Sequence, residues 1–425
     1  MKNNIEARRA FLASGLGWGL DGFTFTMFGL ALPGILAGLN MTVAQGGWIT
    51  TYSLLASALG GILGGMLADR FGRARVLAYV ILAFSVFTAL TATAQTPTQL
   101  AVWRILEGLA FGAEWPVGAA LLAEYASSKN RGRTMGLLQS TYGIGWALST
   151  VSFFVVFSFF PAEVAWRYLF LIGILPALAI FYIRRNVKDR IPVNNEVKKT
   201  SPFPELFSRS QIRITILAII LGFGVQAIYY SVFSFLPLYL QVERNLDLLG
   251  TTTYLWITIA GCMLGYISAG ILHDKLGRRP TFSIYFLGSG LTIITFILLP
   301  VGEGFISYFV ALLVGVSAAG QSAGIGSYSA ELFPTRIRAT GQAFVYNVGR
   351  GIAAFGPAFI GVFTGVIGMG ISIMIVGSVS CILSIITVWL LPETNGKDII
   401  DESDDDTKGE EIESDGSTSR YSVSS

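Results

Sequence analysis

Five ionisable side chains lie where the surrounding sequence is apolar: Asp21, Arg104, Glu107, Glu114 and Arg350. Arg350 stands in "YNVGRGIAAFGP", about ten residues from either end of an apolar run. A charge at bilayer depth costs roughly 2.5–3.5 kcal/mol even on lenient insertion scales, so each such residue is a functional candidate. Arg104, Glu107 and Glu114 belong to one helical stretch, and at 100° per residue they fall within about 80° of one another. That face must point at a cavity or at partners inside a bundle. Gly108 and Gly112 lie beside it, where small residues let a second helix come close.

The chemistry these residues suit is proton and anion binding. An aspartate beside an arginine gives up its proton readily, and one moved into apolar surroundings keeps it. Asp21, about eleven residues into its helix, reaches nearly the depth of Arg104 and Glu107. Opening and closing an Asp21–Arg104 pair would convert conformation into proton affinity, with Glu107 and Glu114 as further proton carriers. The plainer alternative is a static buried salt bridge. A guanidinium such as that of Arg350 offers a planar fork that matches a carboxylate.

Other chemistries find little support. One histidine, His273, and two cysteines, Cys262 and Cys381, are too few for most metal sites or a disulfide framework. His273 reads as a surface residue. No paired catalytic acids, metal-protease motif or serine–base pair is evident, so neither an enzyme nor a cofactor is expected. The driving force would be a transmembrane proton gradient.

These residues must be positioned by membrane helices. The chain has 425 residues, 53% hydrophobic and only 13% charged, against about a quarter charged in soluble domains. Twelve spans of about 20 residues are predicted, near 10–36, 45–68, 76–94, 98–123, 134–160, 166–184, 211–241, 251–272, 281–300, 305–330, 340–365 and 370–391. The first is read as a retained helix rather than a signal peptide. Connections with "DRFGRAR", "SSKNRGR", "HDKLGRR" and "PTRIR" alternate with connections whose single basic residue is Arg244. The positive-inside rule then puts both termini in the cytoplasm of a cell-membrane protein. The last stretch, "DESDDDTKGEEIESDGSTSRYSVSS", reads as a disordered acidic tail.

The chain also repeats itself. "GGMLADRFGRARVL" recurs as "AGILHDKLGRRPTF", with Asp69 and Asp274 separated by 205 positions. "AEYASSKNRGRTMG" recurs as "AELFPTRIRATG", and "YGIGW" aligns with "YNVGR", so Trp146 and Arg350 are equivalent. Six spans per half make a parallel repeat with a cleft between halves. The expected domains are an N-terminal bundle over 1–185, a linker over 186–210, a C-terminal bundle over 211–392 and a tail over 393–425.

On these two loop copies, and on Arg104-x-x-x-Gly108-x-x-x-Gly112, the sequence resembles the major facilitator superfamily over nearly its whole length. The resemblance implies an all-α fold of twelve transmembrane helices in two six-helix bundles. "GWGLDGFTFTMFGLALP", "AWRYLFLIGILPAL" and "YNVGR" are similar to the sialic-acid, lactate and aromatic-acid proton symporters, which also implies the Asp21–Arg104 pairing. Aromatic-acid members carry a second acid in the first helix where this chain has Thr24.

Candidate substrate contacts are Gln139, Tyr142 and Trp146 in span five, Gln226, Tyr229 and Tyr230 in span seven, Gln321 and Tyr328 in span ten, and Tyr346, Asn347 and Arg350 in span eleven. Buried amides and charges need partners in a medium without water. A cytoplasmic gate is expected from Asp69, Arg70, Arg73, Glu124 and Arg131 and from its repeat, Asp274, Arg278, Glu331, Arg336 and Arg338. The reading that results is a monomeric transporter in the lipid bilayer that carries a small organic acid anion with protons and binds no nucleic acid. A sugar or polyol porter and a multidrug/proton antiporter are the rivals. The fifth span lacks the proline that antiporters carry there, and a sugar leaves Arg350 unexplained.

Overall fold

The computed structural model describes residues 5–123, 131–178, 203–299, 304–334 and 337–394. The helices of the first half are α1 (Ile5–Gly38), α2 (Val43–Phe71), α3 (Arg73–Thr91), α4 (Pro97–Ala123), α5 (Arg131–Phe159) and α6 (Ala162–Ile172). Those of the second are α7 (Ile212–Phe233), α8 (Leu248–Leu276), α9 (Arg278–Leu298), α10 (Phe305–Glu331), α11 (Arg338–Ala353), α12 (Phe355–Ile367) and α13 (Met369–Leu390). Helices α11 and α12 are one span, broken where Pro357 has no N–H to give Ala353. Among the described residues, ten spans are long and apolar enough to cross a bilayer, and α4 and α6 complete two sets of six.

The repeat is visible in local chemistry. Thr42 caps α2 in a capping box with Gln45, and Asp247, 205 positions on, caps α8 through the Gly250 N–H. The turn into the third helix needs a positive φ in both halves, 95° at Gly72 and 92° at Gly277, which only glycine adopts without strain. Helix pairing repeats as well. Contacts α2–α4, α1–α5, α3–α4, α1–α6 and α3–α6 recur as α8–α10, α7–α11, α9–α10, α7–α13 and α9–α13. Gly108 and Gly112 of α4 lie against the backbone of Ser53 and Ser57, and Gly261 and Gly265 of α8 lie likewise against Leu312 and Val316. A Cβ at any of these four would meet backbone, so the crossings depend on them.

Arg244, the exception among the poorly charged loops, has a local purpose. It donates to the carbonyls of Phe296 and Ile297 at the end of α9, while its neighbour Glu243 accepts from the Gly370 N–H at the start of α13. Each charge therefore sits at the helix end whose dipole it complements. Arg167 does the same in the first half, donating to Ala92 and Ala94 beyond α3 at 2.6 Å.

The halves meet along α2 against α11 and α12, and along α5 against α8. At the end away from the basic loops the contact is tight. Thr51 Oγ1 donates to the Ala354 carbonyl at 2.7 Å, and Gly47 and Gly361 let backbones touch at Pro357 and Val43. Toward the basic loops, Gly61 still abuts Asn347, but Gly65 faces open space. The halves are thus sealed at the end away from the basic loops.

Candidate transport site

A cavity lies between the halves, with Phe111 and Tyr142 on one side and Gln226, Tyr230, Tyr346 and Arg350 on the other. Arg350 is 1% exposed. Its Nε donates to Gln226 Oε1 at 3.2 Å and its Nη2 to the Tyr346 hydroxyl at 3.2 Å, while Nη1 has no hydrogen-bond acceptor among the described residues. The Gln226 amide nitrogen donates to the carbonyls of Tyr346 and Gly222, which turns its oxygen to the guanidinium. The rings of Phe111 and Tyr346 cover the guanidinium at 5.4 and 4.9 Å.

Two carboxylates stand within electrostatic reach of this arginine. Asp21 is fully buried and neither oxygen has a hydrogen-bond partner among the described residues. The charges acting on it are those of Glu114, Arg350 and Glu107. Glu114 is equally buried and unpartnered. Its carboxylate sits against Gly17, one turn before Asp21 on α1, in space that any side chain there would fill.

The expected Asp21–Arg104 pair is absent. Arg104 binds Glu107 one turn along its own helix instead, with the Phe28 ring 4.6 Å from its guanidinium. Phe28 is two turns beyond Asp21, so Arg104 lies too far along α1 to reach it. The acids on one face of α4 thus divide: Glu107 with Arg104 inside the first half, Glu114 with Asp21 toward Arg350.

The profile of the Major Facilitator Superfamily matches residues 15–352 and, in a second match, 264–410. The chain belongs to the major facilitator superfamily. As members of that family are, it is a multi-pass membrane transporter rather than an enzyme. It is 36% identical over 394 residues to the "Probable 4-methylmuconolactone transporter" of Cupriavidus pinatubonensis, covering 92% of each chain. It is 30% identical to the "Cis,cis-muconate transport protein" of Acinetobacter baylyi, covering 90% of this chain and 94% of that one. The crystal structure of a D-xylose-proton symporter superposes with a TM-score of 0.75 at 17% identity, over 92% of this chain and 99% of that one. That last likeness concerns the fold alone.

Of the expected substrate contacts, Gln139, Tyr142, Gln226, Tyr229, Tyr230, Tyr346 and Arg350 of this facilitator line the cavity. Four others do not. Trp146 packs edge-on against Phe233, 4.9 Å between ring centres. Asn347 turns to α2, where Gly61 leaves room for its amide, and donates to the Ala343 carbonyl. Gln321 and Tyr328 share a face of α10 with Gly324, and that face looks into the second bundle. Gly324 receives the His273 ring, and Tyr328 packs on Phe282 and donates to the Pro392 carbonyl. The cavity takes the next residue round, Ser322, with Ile325. Trp18, Phe111 and Tyr266 line it too. Trp18 precedes Asp21 by one turn, a spacing that marks it in hindsight. His273 is buried against Phe282, not on the surface.

At the basic end the second-half cluster is a connected network. Arg278 donates from Nε and Nη2 to Glu331 at 3.0 and 2.7 Å and approaches Asp274 at 3.5 Å. Glu393, which composition assigned to the tail, accepts from the N–H groups of Arg278 and Arg279 at the start of α9. Thr394 donates to Glu331. Arg338 opens α11. In the first half, Arg70 is exposed beside the Phe71 ring. The side chains of Asp69, Arg73 and Arg131, with Glu124 and Arg336, lie outside the described residues, as do most of the linker and the tail from 395.

Proposed function

We propose that this chain moves a small organic acid anion together with a proton across the cell membrane by alternating access. The termini and basic loops face the cytoplasm, and a single chain suffices. The observation that carries this reading is a set of buried, unpartnered groups: Arg350 Nη1 on the cavity wall and, within electrostatic reach of it, all four oxygens of Asp21 and Glu114. A buried polar group without a partner costs free energy, so such a cluster at a cavity points to a ligand and to protons.

The charge count gives the coupling. Two buried carboxylates near one another do not both ionise, so Asp21 and Glu114 hold one proton between them and together balance Arg350. An incoming carboxylate takes the unpartnered Nη1 of Arg350 and leaves the pair without its counter-charge. The pair then binds a second proton, and the loaded site is neutral again. One monoanion and one proton cross together, with no net charge moved. The names of the two relatives, for a muconolactone and for muconate, agree with an acid as cargo.

Arg350→Ala is expected to weaken carboxylate binding by about 100-fold, since removing one partner of a buried charged contact costs about 2–5 kcal/mol. Arg350→Lys, which keeps the charge but loses the fork, is expected to lose about tenfold. Calorimetry on purified protein checks both. Wild-type affinity in folded Arg350→Ala would make the arginine structural and remove the acid from the reading.

A further inference from the structure

The cleft discriminates among acids, and its walls indicate how. We infer that the site takes a flat acid with one carboxylate, and that it rejects both saturated acids of the same size and dianions. This rests on the assignment of Arg350 to the substrate carboxylate.

Flatness follows from how Arg350 is held. Phe111, from the first half, and Tyr346, from the second, cover the guanidinium, and two of its three nitrogens are committed to Gln226 and Tyr346. The nitrogen left for a ligand is Nη1, buried beside Tyr230, and with both faces covered a carboxylate must meet it in the guanidinium plane. A carboxylate bound there has its body between walls that are mostly aromatic, seven of the thirteen lining residues, with Tyr142 and Tyr229 edge-on to one another at 6.0 Å. A conjugated body continues the plane of its carboxylate and offers faces to these rings. A saturated ring is thicker and has no such faces.

The single charge follows from what is missing opposite Arg350. Among the described lining residues Arg350 is the only charged one. The polar groups elsewhere on the wall are neutral: Gln139, Ser322 and tyrosine hydroxyls. Gln139 donates to the Ser322 carbonyl at 3.5 Å, and its own Oε1, buried and unpartnered, can only accept. It suits a hydroxyl or N–H on the ligand and opposes a second carboxylate. A dianion would leave one carboxylate desolvated without a cation.

The test is a binding panel on the purified full-length protein at pH 7. Flat monoacids (benzoate, nicotinate, 3-hydroxybenzoate) are compared with cyclohexanecarboxylate and with the dianions terephthalate and cis,cis-muconate. The tightest flat monoacid is expected to bind at least tenfold better than the saturated acid or either dianion. In Gln139→Arg, which supplies the missing cation, dianion binding is expected to rise at least tenfold. A saturated acid or a dianion that binds wild-type protein as tightly as the best flat monoacid overturns the inference and leaves the role of Arg350 intact. Binding of no carboxylate at all overturns that role, and this inference with it.

Discussion

The two halves share a scaffold and divide the charges. In the first half, mid-span, lie three buried acids and one arginine that is already paired. In the second lies Arg350, whose hydrogen-bond partners are an amide and a phenol. The division can be followed residue by residue. Gln226 stands 205 positions after Asp21, the separation that also relates Thr42 to Asp247 and Gly72 to Gly277. Where the repeat retains a cap or a turn, the chemistry of the backbone is unchanged. At Asp21 and Gln226, and at Trp146 and Arg350, one half carries the acid and the other the base with its amide support. A cleft built this way has a proton side and an anion side.

The comparison can be broken first at Arg104. If Arg104–Glu107 is the structural pair of the first half, Arg104→Met strands a buried carboxylate and should destabilise by about 3–5 kcal/mol. The double variant Arg104→Met/Glu107→Met should recover most of that, because it leaves no charge behind. Thermal unfolding in detergent measures both, and loss of proton-driven uptake in a stable double variant would return the pair to the coupling machinery.

A smaller effect is expected at the basic end. Ending the chain after Leu391 removes Glu393 from the first turn of α9 and Thr394 from Glu331, worth about 1–2 kcal/mol together. Ending it after Ile400 should change neither stability nor uptake. Equal behaviour of the two truncations would show that the Glu393 contacts do not hold the loop.

The smallest structural effect is at Gly17. A Cβ there overlaps the movable end of the Glu114 side chain and touches Ile81 at ordinary contact distance, so Gly17→Ala should cost less than about 1 kcal/mol. It should nevertheless lower the accumulation ratio by displacing the carboxylate from Asp21. Gly15→Ala, which meets only a methyl of Thr141, is the control.

Much of this was legible in sequence, for identifiable reasons. Spans, loop polarity and the duplication follow from composition and from motifs that recur at a fixed separation. The buried charges stand out because apolar runs exclude them. What sequence did not convey was helix rotation and depth. Counting from the loops gives Asp21 and Arg104 the same depth, yet the register of α1 against α4 puts Arg104 at Phe28 and Glu114 at Gly17. On α10, the notch at Gly324 that accepts His273 turns Gln321 and Tyr328 inward and gives the cleft to Ser322. One residue of phase separates the two outcomes, and amphipathic pattern is too broad to fix it. Glu393 was hidden by its neighbours, since an acidic stretch does not reveal which of its members reaches back to a helix end.

The central claim is that the first half carries the proton and the second half the anion. Proteoliposomes containing Asp21→Asn/Glu114→Gln test it most directly, with two assays on one preparation using the tightest acid from the panel. The account predicts that exchange of labelled for unlabelled acid persists, because Arg350 is untouched and exchange moves no net protons. It predicts that accumulation driven by a pH gradient is lost. Accumulation at the wild-type level in these vesicles would contradict the account.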